Sequence, residues 1–179
     1  MKKVSKNVLI WEIISALFVI FVGSALHFVF AASGYNNIVG AFSAVNESTW
    51  EHTKLAFVPL IVFSLIQYPF VKKEIKNYFL IKAKESHLAV FLIIMIFYTY
   101  TGIIGHHYLW VDILTFIIAV IAAKALAYIH LFNWKKRWQT TSIIVIIILA
   151  LFFIYATYNP PKIQLFLDTP TGTYGMVVK

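Results

Sequence analysis

Apolar residues gather into five long runs, at about 8–32, 55–71, 88–105, 113–132 and 140–158, separated by short polar breaks that carry lysine. Each run is long enough, or nearly so, to cross a hydrocarbon core of roughly 30 Å as a helix. Lipid offers the backbone no hydrogen-bond partners, so helix is the spanning structure this pattern predicts. The second run is short, but helical sequence extends backwards through Asn46-Glu47-Ser48-Thr49-Trp50-Glu51-His52, giving a second helix over 46–71 with Pro59 and Pro69 as expected kink points. Asn159-Pro160-Pro161 ends the fifth helix, and Asp168 to Gly175 reads as turns. Leu165, Phe166 and Leu167 are too apolar for a free tail in water. The tail is expected to fold back on the outer face and lid a space between His52 and His106. The pattern therefore predicts an all-α integral membrane protein, with a five-helix transmembrane domain over 1–158 and an extracytoplasmic tail over 159–179.

Composition agrees with the pattern. Hydrophobic residues make up 61% of the 179 and charged residues 12%, against about half and a quarter in soluble domains. The formal charge of +8 is unevenly placed. Lys2, Lys3 and Lys6, then Lys72, Lys73, Lys76, Lys82 and Lys84, then Lys135, Lys136 and Arg137 all fall on one side, eleven of the fifteen basic residues. Positive charge marks the cytoplasmic side, which puts the N-terminus in and the C-terminus out. These residues then face anionic lipid rather than nucleic acid. The first run is longer than the usual 7–15-residue core of a signal peptide and reads as a retained helix. With no Cys, disulfides and thiolate metal sites are excluded.

On this topology four of the six His and four of the seven acids converge on the outer side. His27 lies near the end of the first helix, Glu47, Glu51 and His52 open the second, His106 and His107 end the third, Asp112 opens the fourth, and Asp168 lies in the tail. Imidazole and carboxylate suit a divalent metal, zinc foremost, with one position left open for water. The expected ligands are His52, His106, His107 and Asp112, with His27 as a further ligand or proton relay. Glu51 and Glu47 are the expected catalytic bases. The spacing matches no established local metal motif.

Each residue also has a plain structural role open to it. Ser48-x-x-Glu51 is a capping box, Asp112 is a helix cap, and His106 and His107 are ordinary at a helix end. Ser48 and His52, four apart, allow a Ser–His contact, but no orienting acid or oxyanion hole accompanies them. Asn46-Glu47-Ser48 fits a glycosylation sequon, taken as coincidence. Near the inner side Glu12 and Lys124 are expected to form a buried ion pair, or to begin a proton or ion path outward. His87 and His130 fall at the inner interface. Gly23, Gly102 and Gly105 are expected to permit close helix approach.

The run Val45 to Lys54, with Asn46-Glu47-Ser48-Thr49-Trp50-Glu51-His52 at its heart, and the ending Asp168 to Gly175 resemble those of a small uncharacterised family of prokaryotic integral membrane proteins, a domain of unknown function. That resemblance implies several helices over most of the chain, and no activity. The membrane metal-hydrolases that include alkaline ceramidases and adiponectin-type receptors have seven helices and a late His-x-x-x-His pair, both missing here. The expectation is a multi-pass protein of the prokaryotic plasma membrane, a metal-dependent hydrolase of lipid or another amphiphile. A small transporter or ion-binding protein is the alternative, and a structural accessory subunit the third. Membrane lipid and an amphiphilic substrate are the expected partners.

Overall fold

The computed structural model describes residues 5–129 and 138–176. Five helices are long and apolar enough to cross a membrane, and the protein is an all-α membrane bundle. In chain order the helices are α1 Lys6–Ala32, a single turn α2 Asn37–Gly40, α3 Thr49–Val71, α4 Tyr78–Ile104, α5 Leu109–Ile129 and α6 Gln139–Tyr158. A 3₁₀ turn at Gln164–Phe166 leads into a two-residue hairpin, β1 Leu167–Asp168 against β2 Thr173–Tyr174. Successive long helices run antiparallel. The ends of α1, α4 and α6 thus share one end of the bundle with the starts of α3 and α5.

Sequence pattern and structure differ most at α4, which begins at Tyr78 rather than near residue 88. Lys82, Lys84 and Glu85 make that stretch read as a loop, yet Lys82 and Glu85 are each 1% exposed. Their charges are cancelled inside the bundle. Lys82 Nζ bonds Glu12 at 2.8 and 3.0 Å and Glu85 at 2.8 Å. Lys124 bonds Glu85, reaches Glu12 at 3.4 Å and donates to Ser15 at 2.7 Å. Gln67 donates to Glu12 at 2.8 Å, and the Tyr78 hydroxyl donates to Gln67 and to the Ser64 carbonyl. The expected Glu12–Lys124 pair is therefore one edge of a neutral quartet joining α1, α4 and α5, with α3 attached through Gln67.

The second helix starts at Thr49 rather than residue 46, because Ser48 is its N-cap, accepting from Glu51 N at 3.3 Å. The fourth starts at Leu109, ahead of residue 113. Pro59 and Pro69 both lie within α3. At mid-bundle Val19, Ala56, Leu60, Ala89, Ile93, Ala119 and Val120 pack α1, α3, α4 and α5 together. Large apolar side chains such as Phe21, Leu65, Phe91, Ile121 and Ile148 remain on the outside, where the solvent is lipid. A Cβ on Gly23 would lie 2.3 Å from the Leu55 carbonyl oxygen, so the α1–α3 approach requires glycine there. Gly102 faces open space and serves no such approach. Gly105 instead ends α4 in the left-handed conformation, φ 88°.

Removing one member of the quartet leaves a buried charge uncompensated, at about 3–5 kcal/mol. Glu85→Gln should therefore lower the thermal unfolding temperature of the detergent-solubilised protein sharply. Glu85→Gln combined with Lys124→Met, which restores neutrality, should recover most of the loss. A double variant no better than the single would show that charge balance is not what holds these helices.

Candidate functional site

His27, Glu47 and His52 meet at the end of the bundle opposite the quartet, with one ligand atom from each lying within 4.8 Å of the others. His27 comes from the last turns of α1 and His52 from the first turn of α3. Glu47 comes from the loop before α3. The Nε2 atoms of His27 and His52 lie 3.6 and 3.4 Å from the two Glu47 oxygens. The two rings stack with centroids 5.2 Å apart. Ligand atoms around a tetrahedral zinc ion, with bonds of about 2.0–2.1 Å, sit roughly 3.4 Å from one another. The two distances to Glu47 approach that spacing, and the stacked rings would have to turn for both Nε2 lone pairs to converge on one ion.

Local structure sets up each member. His52 Nδ1 lies 2.9 Å from the Ser48 carbonyl, to which it can only donate, and this leaves Nε2 directed at Glu47. The Ser48 hydroxyl is occupied capping Glu51 N, so the Ser–His contact runs through the Ser48 carbonyl and no serine nucleophile is formed. Glu47 lies outside the spanning segments. The hydrogen bond from His52 holds its carboxyl below the usual carboxylate range against the effect of partial burial, and the charges of His52, His27 and His107 act in the same direction. Its side chain is 53% exposed, with those of His27 and His52 at 28% and 34%. This is an accessible site rather than a sealed core pair.

The remaining expected residues divide. Glu51 is not a base facing this cluster. It is 2% exposed and paired at 2.5 Å with Lys54, which is fully buried. Lys54 also donates to the Gly40 carbonyl at 3.0 Å and to Thr157 at 2.7 Å. Glu51 accepts Val45 N–H at 3.1 Å. The pair is a structural knot joining α3, α6 and the loop that carries Glu47. Capping and burial, properties of the fold rather than of the motif, decide this role.

His106, His107 and Asp112 lie outside the His27–Glu47–His52 group. His106 is exposed and makes an edge contact with Tyr108. His107 Nδ1 bonds Asp112 at 3.0 Å, and Asp112 also accepts the Tyr100 hydroxyl. The α4–α5 turn folds His107 back on its own helix start, and this local pairing separates it from the three-residue group. It is near enough for the His107 charge to act on Glu47. Tyr100 carries no sequence signal, since it is one aromatic among many in an apolar run. His87 donates to its own helix at Ala83, and His130 lies outside the described residues.

Residues 46–52 and 168–175, far apart in sequence, dock on one another. Asp168 accepts Glu47 N–H at 3.1 Å, and Asn46 donates to the Gly175 carbonyl at 2.9 Å. A model of a family of unknown function, DUF6512, matches residues 1–176. The chain belongs to the DUF6512 family. No curated protein and no solved structure matches this DUF6512 chain.

In the DUF6512 chain, with chelator present, Glu47 interacts most strongly while it is ionised and an imidazole beside it is protonated. Its depressed value means that its contribution is present above the ordinary carboxylate range and is lost as pH falls through that value. At the upper edge the contribution fades as the imidazoles release their protons. The unfolding-temperature gap between wild type and Glu47→Gln should therefore be widest near about pH 5 and narrow on both sides. A gap that stays flat from pH 4 to 8 would show that Glu47 and the imidazoles do not interact.

Proposed function

We propose that this multi-pass membrane protein is a metal-dependent hydrolase of lipid or amphiphilic substrates, with His27, Glu47 and His52 as the protein ligands of a zinc ion. The observation that carries the reading is the meeting of those three side chains within 4.8 Å at an accessible bundle end. Two imidazoles and one carboxylate are a donor set used by hydrolytic zinc sites, which keep a fourth position for water. Glu47, between the two rings, fits a ligand better than a base. A divalent ion there would supply Lewis acidity and bring the pKa of bound water to near 7.

The chain's own groups supply the rest. Asp112 orients His107 through Nδ1 and Tyr100 fixes Asp112, leaving Nε2 of His107 available to take a proton from an attacking water and return it to a leaving group. Phe28, next to His27, and Ile103, Leu109 and Trp110, at the α4–α5 turn, are apolar and 67, 81, 74 and 66% exposed. Apolar surface at this end suits a substrate held in the membrane interface, with its polar group at the site and its chains in lipid. The lysine distribution supports placing this end outside the cytoplasm, in a plasma membrane. The ionised quartet at membrane depth favours the alternative of a small transporter or ion-binding protein. Its neutrality and dense hydrogen bonding fit a fixed structural unit better.

Elemental analysis of protein purified without chelator should find close to one zinc per chain. His52→Ala and His27→Ala should lose it, and His107→Ala should keep it. Zinc-loaded protein should hydrolyse a soluble ester such as p-nitrophenyl butyrate and stop when the metal is stripped. His107→Ala should lower kcat by about 10²–10⁴-fold with KM little changed. Absence of bound metal after reconstitution with zinc, iron or manganese would overturn the reading. Metal lost in His107→Ala would make that residue a ligand instead.

A further inference from the structure

Of the three residues in the cluster, Glu47 alone is not on a helix. His27 and His52 are held by the backbones of α1 and α3, but the four residues preceding Ser48 belong to no helix or strand. Glu47 is placed by the main chain of its loop, which Glu51 holds at Val45 N–H and the C-terminal segment holds at Asn46 and Glu47. Asp168, 5% exposed, accepts Glu47 N–H through Oδ1 at 3.1 Å, and its Oδ2 is satisfied by the Thr171 hydroxyl. On one side of Glu47, Asn46 donates to the Gly175 carbonyl and accepts Ser48 N–H, each at 2.9 Å.

The hairpin is itself anchored. Phe166, 4% exposed, packs on Trp50 with centroids 5.1 Å apart, and Met176 N–H donates to the Thr157 carbonyl at 3.1 Å. Thr157 in turn bonds Lys54. The C-terminal segment thus grips the Glu47 loop through the Asp168 carboxylate and the Gly175 carbonyl, and grips α3 through the Phe166 ring.

We propose that the C-terminal hairpin is a working part of the metal site, with Asp168 as the residue that positions Glu47, so that metal occupancy and hairpin docking reinforce each other. This rests on the metal reading above. Residues that orient a metal ligand without touching the metal typically change affinity by 10–100-fold when removed. Coupling of this kind is reciprocal: whatever the docked hairpin adds to metal binding, the bound metal adds to hairpin docking. A role confined to closing the Asp168–Thr171 turn would alter unfolding and leave the affinity of the folded protein for metal unchanged.

The experiment uses the full chain in detergent with cobalt(II) as probe, its affinity read from the visible absorption of the bound ion. Asp168→Asn keeps an oxygen acceptor for Glu47 N–H and should bind cobalt within about threefold of wild type. Asp168→Leu removes the acceptor and should bind at least tenfold more weakly. In parallel, hydrogen exchange over residues 164–175 is followed with and without saturating zinc. It should slow with zinc in wild type and not in His52→Ala. This second arm decides the matter if Asp168→Leu does not fold. Wild-type affinity in Asp168→Leu, equal weakening in both variants, or hairpin exchange indifferent to zinc would each overturn the proposal while the metal site stands. A wild-type protein that binds no cobalt overturns the metal reading and this proposal with it, and that control is read first.

Discussion

Charge neutrality inside a lipid-solvated bundle is the constraint on which the fold depends. Glu12, Lys82, Glu85 and Lys124 lie about one to two turns inside helices, where a lone ion is costly. Two acids and two bases cancel, and the remaining valences are taken by Ser15, Gln67 and the other members of the quartet. Because the partners sit on α1, α4 and α5, with α3 tied through Gln67, the charges can cancel only in one relative placement of these helices. Lipid contact supplies no hydrophobic drive for one helix to choose another, so specificity of this kind must come from polar contacts and close steric fit. Gly23 against the Leu55 carbonyl is the steric counterpart. With the quartet fixing one end of the bundle, the opposite end has a defined geometry on which a site can be built.

At that opposite end a second buried ion pair, Glu51–Lys54, does a related task. It ties the first turn of α3 to Thr157 on α6 and to the Gly40 carbonyl. Trp50 beside it receives Phe153 and Phe166. The chain of constraint then passes from quartet to bundle, from bundle to α3 and the tail, and from these to the loop holding Glu47. The three residues of the cluster arrive from α1, that loop and α3, and each is placed by a different set of contacts.

The fold was largely legible in the sequence because lipid imposes length and apolarity on every spanning helix, and those quantities are local. What escaped was long-range. Lys82 and Glu85 read as a loop because a hydropathy pattern counts charges and cannot see that they are cancelled by Glu12 and Lys124 from other helices. The three residues of the candidate site, His27, Glu47 and His52, were visible within a wider convergence of residue types. The sorting of the rest was not. Glu51 and Glu47 lie four apart and look equivalent, yet one faces Lys54 in the interior and the other two imidazoles at the surface. His107 and Asp112, both suitable ligands by type, satisfy each other across a tight turn. The Asp168 and Gly175 contacts to Asn46 and Glu47 span more than a hundred positions, and no local rule anticipates them.

The functional reading gains weight from where polarity is and is not needed. Lys54, Lys82, Glu51 and Glu85 are buried, and each is engaged by partners that offset the cost of placing it there. A bundle stabilised only by such units has no use for two stacked imidazoles beside a half-exposed carboxylate. Capping explains Ser48, and the ion pair explains Glu51, so neither structural role extends to His27 or Glu47. The Nδ1 atom of His27 is buried without a hydrogen-bond partner, a cost it shares with Trp50 Nε1. Two imidazoles and a half-exposed carboxylate brought within 4.8 Å at a bundle end are the kind of convergence on which the proposed metal reading rests.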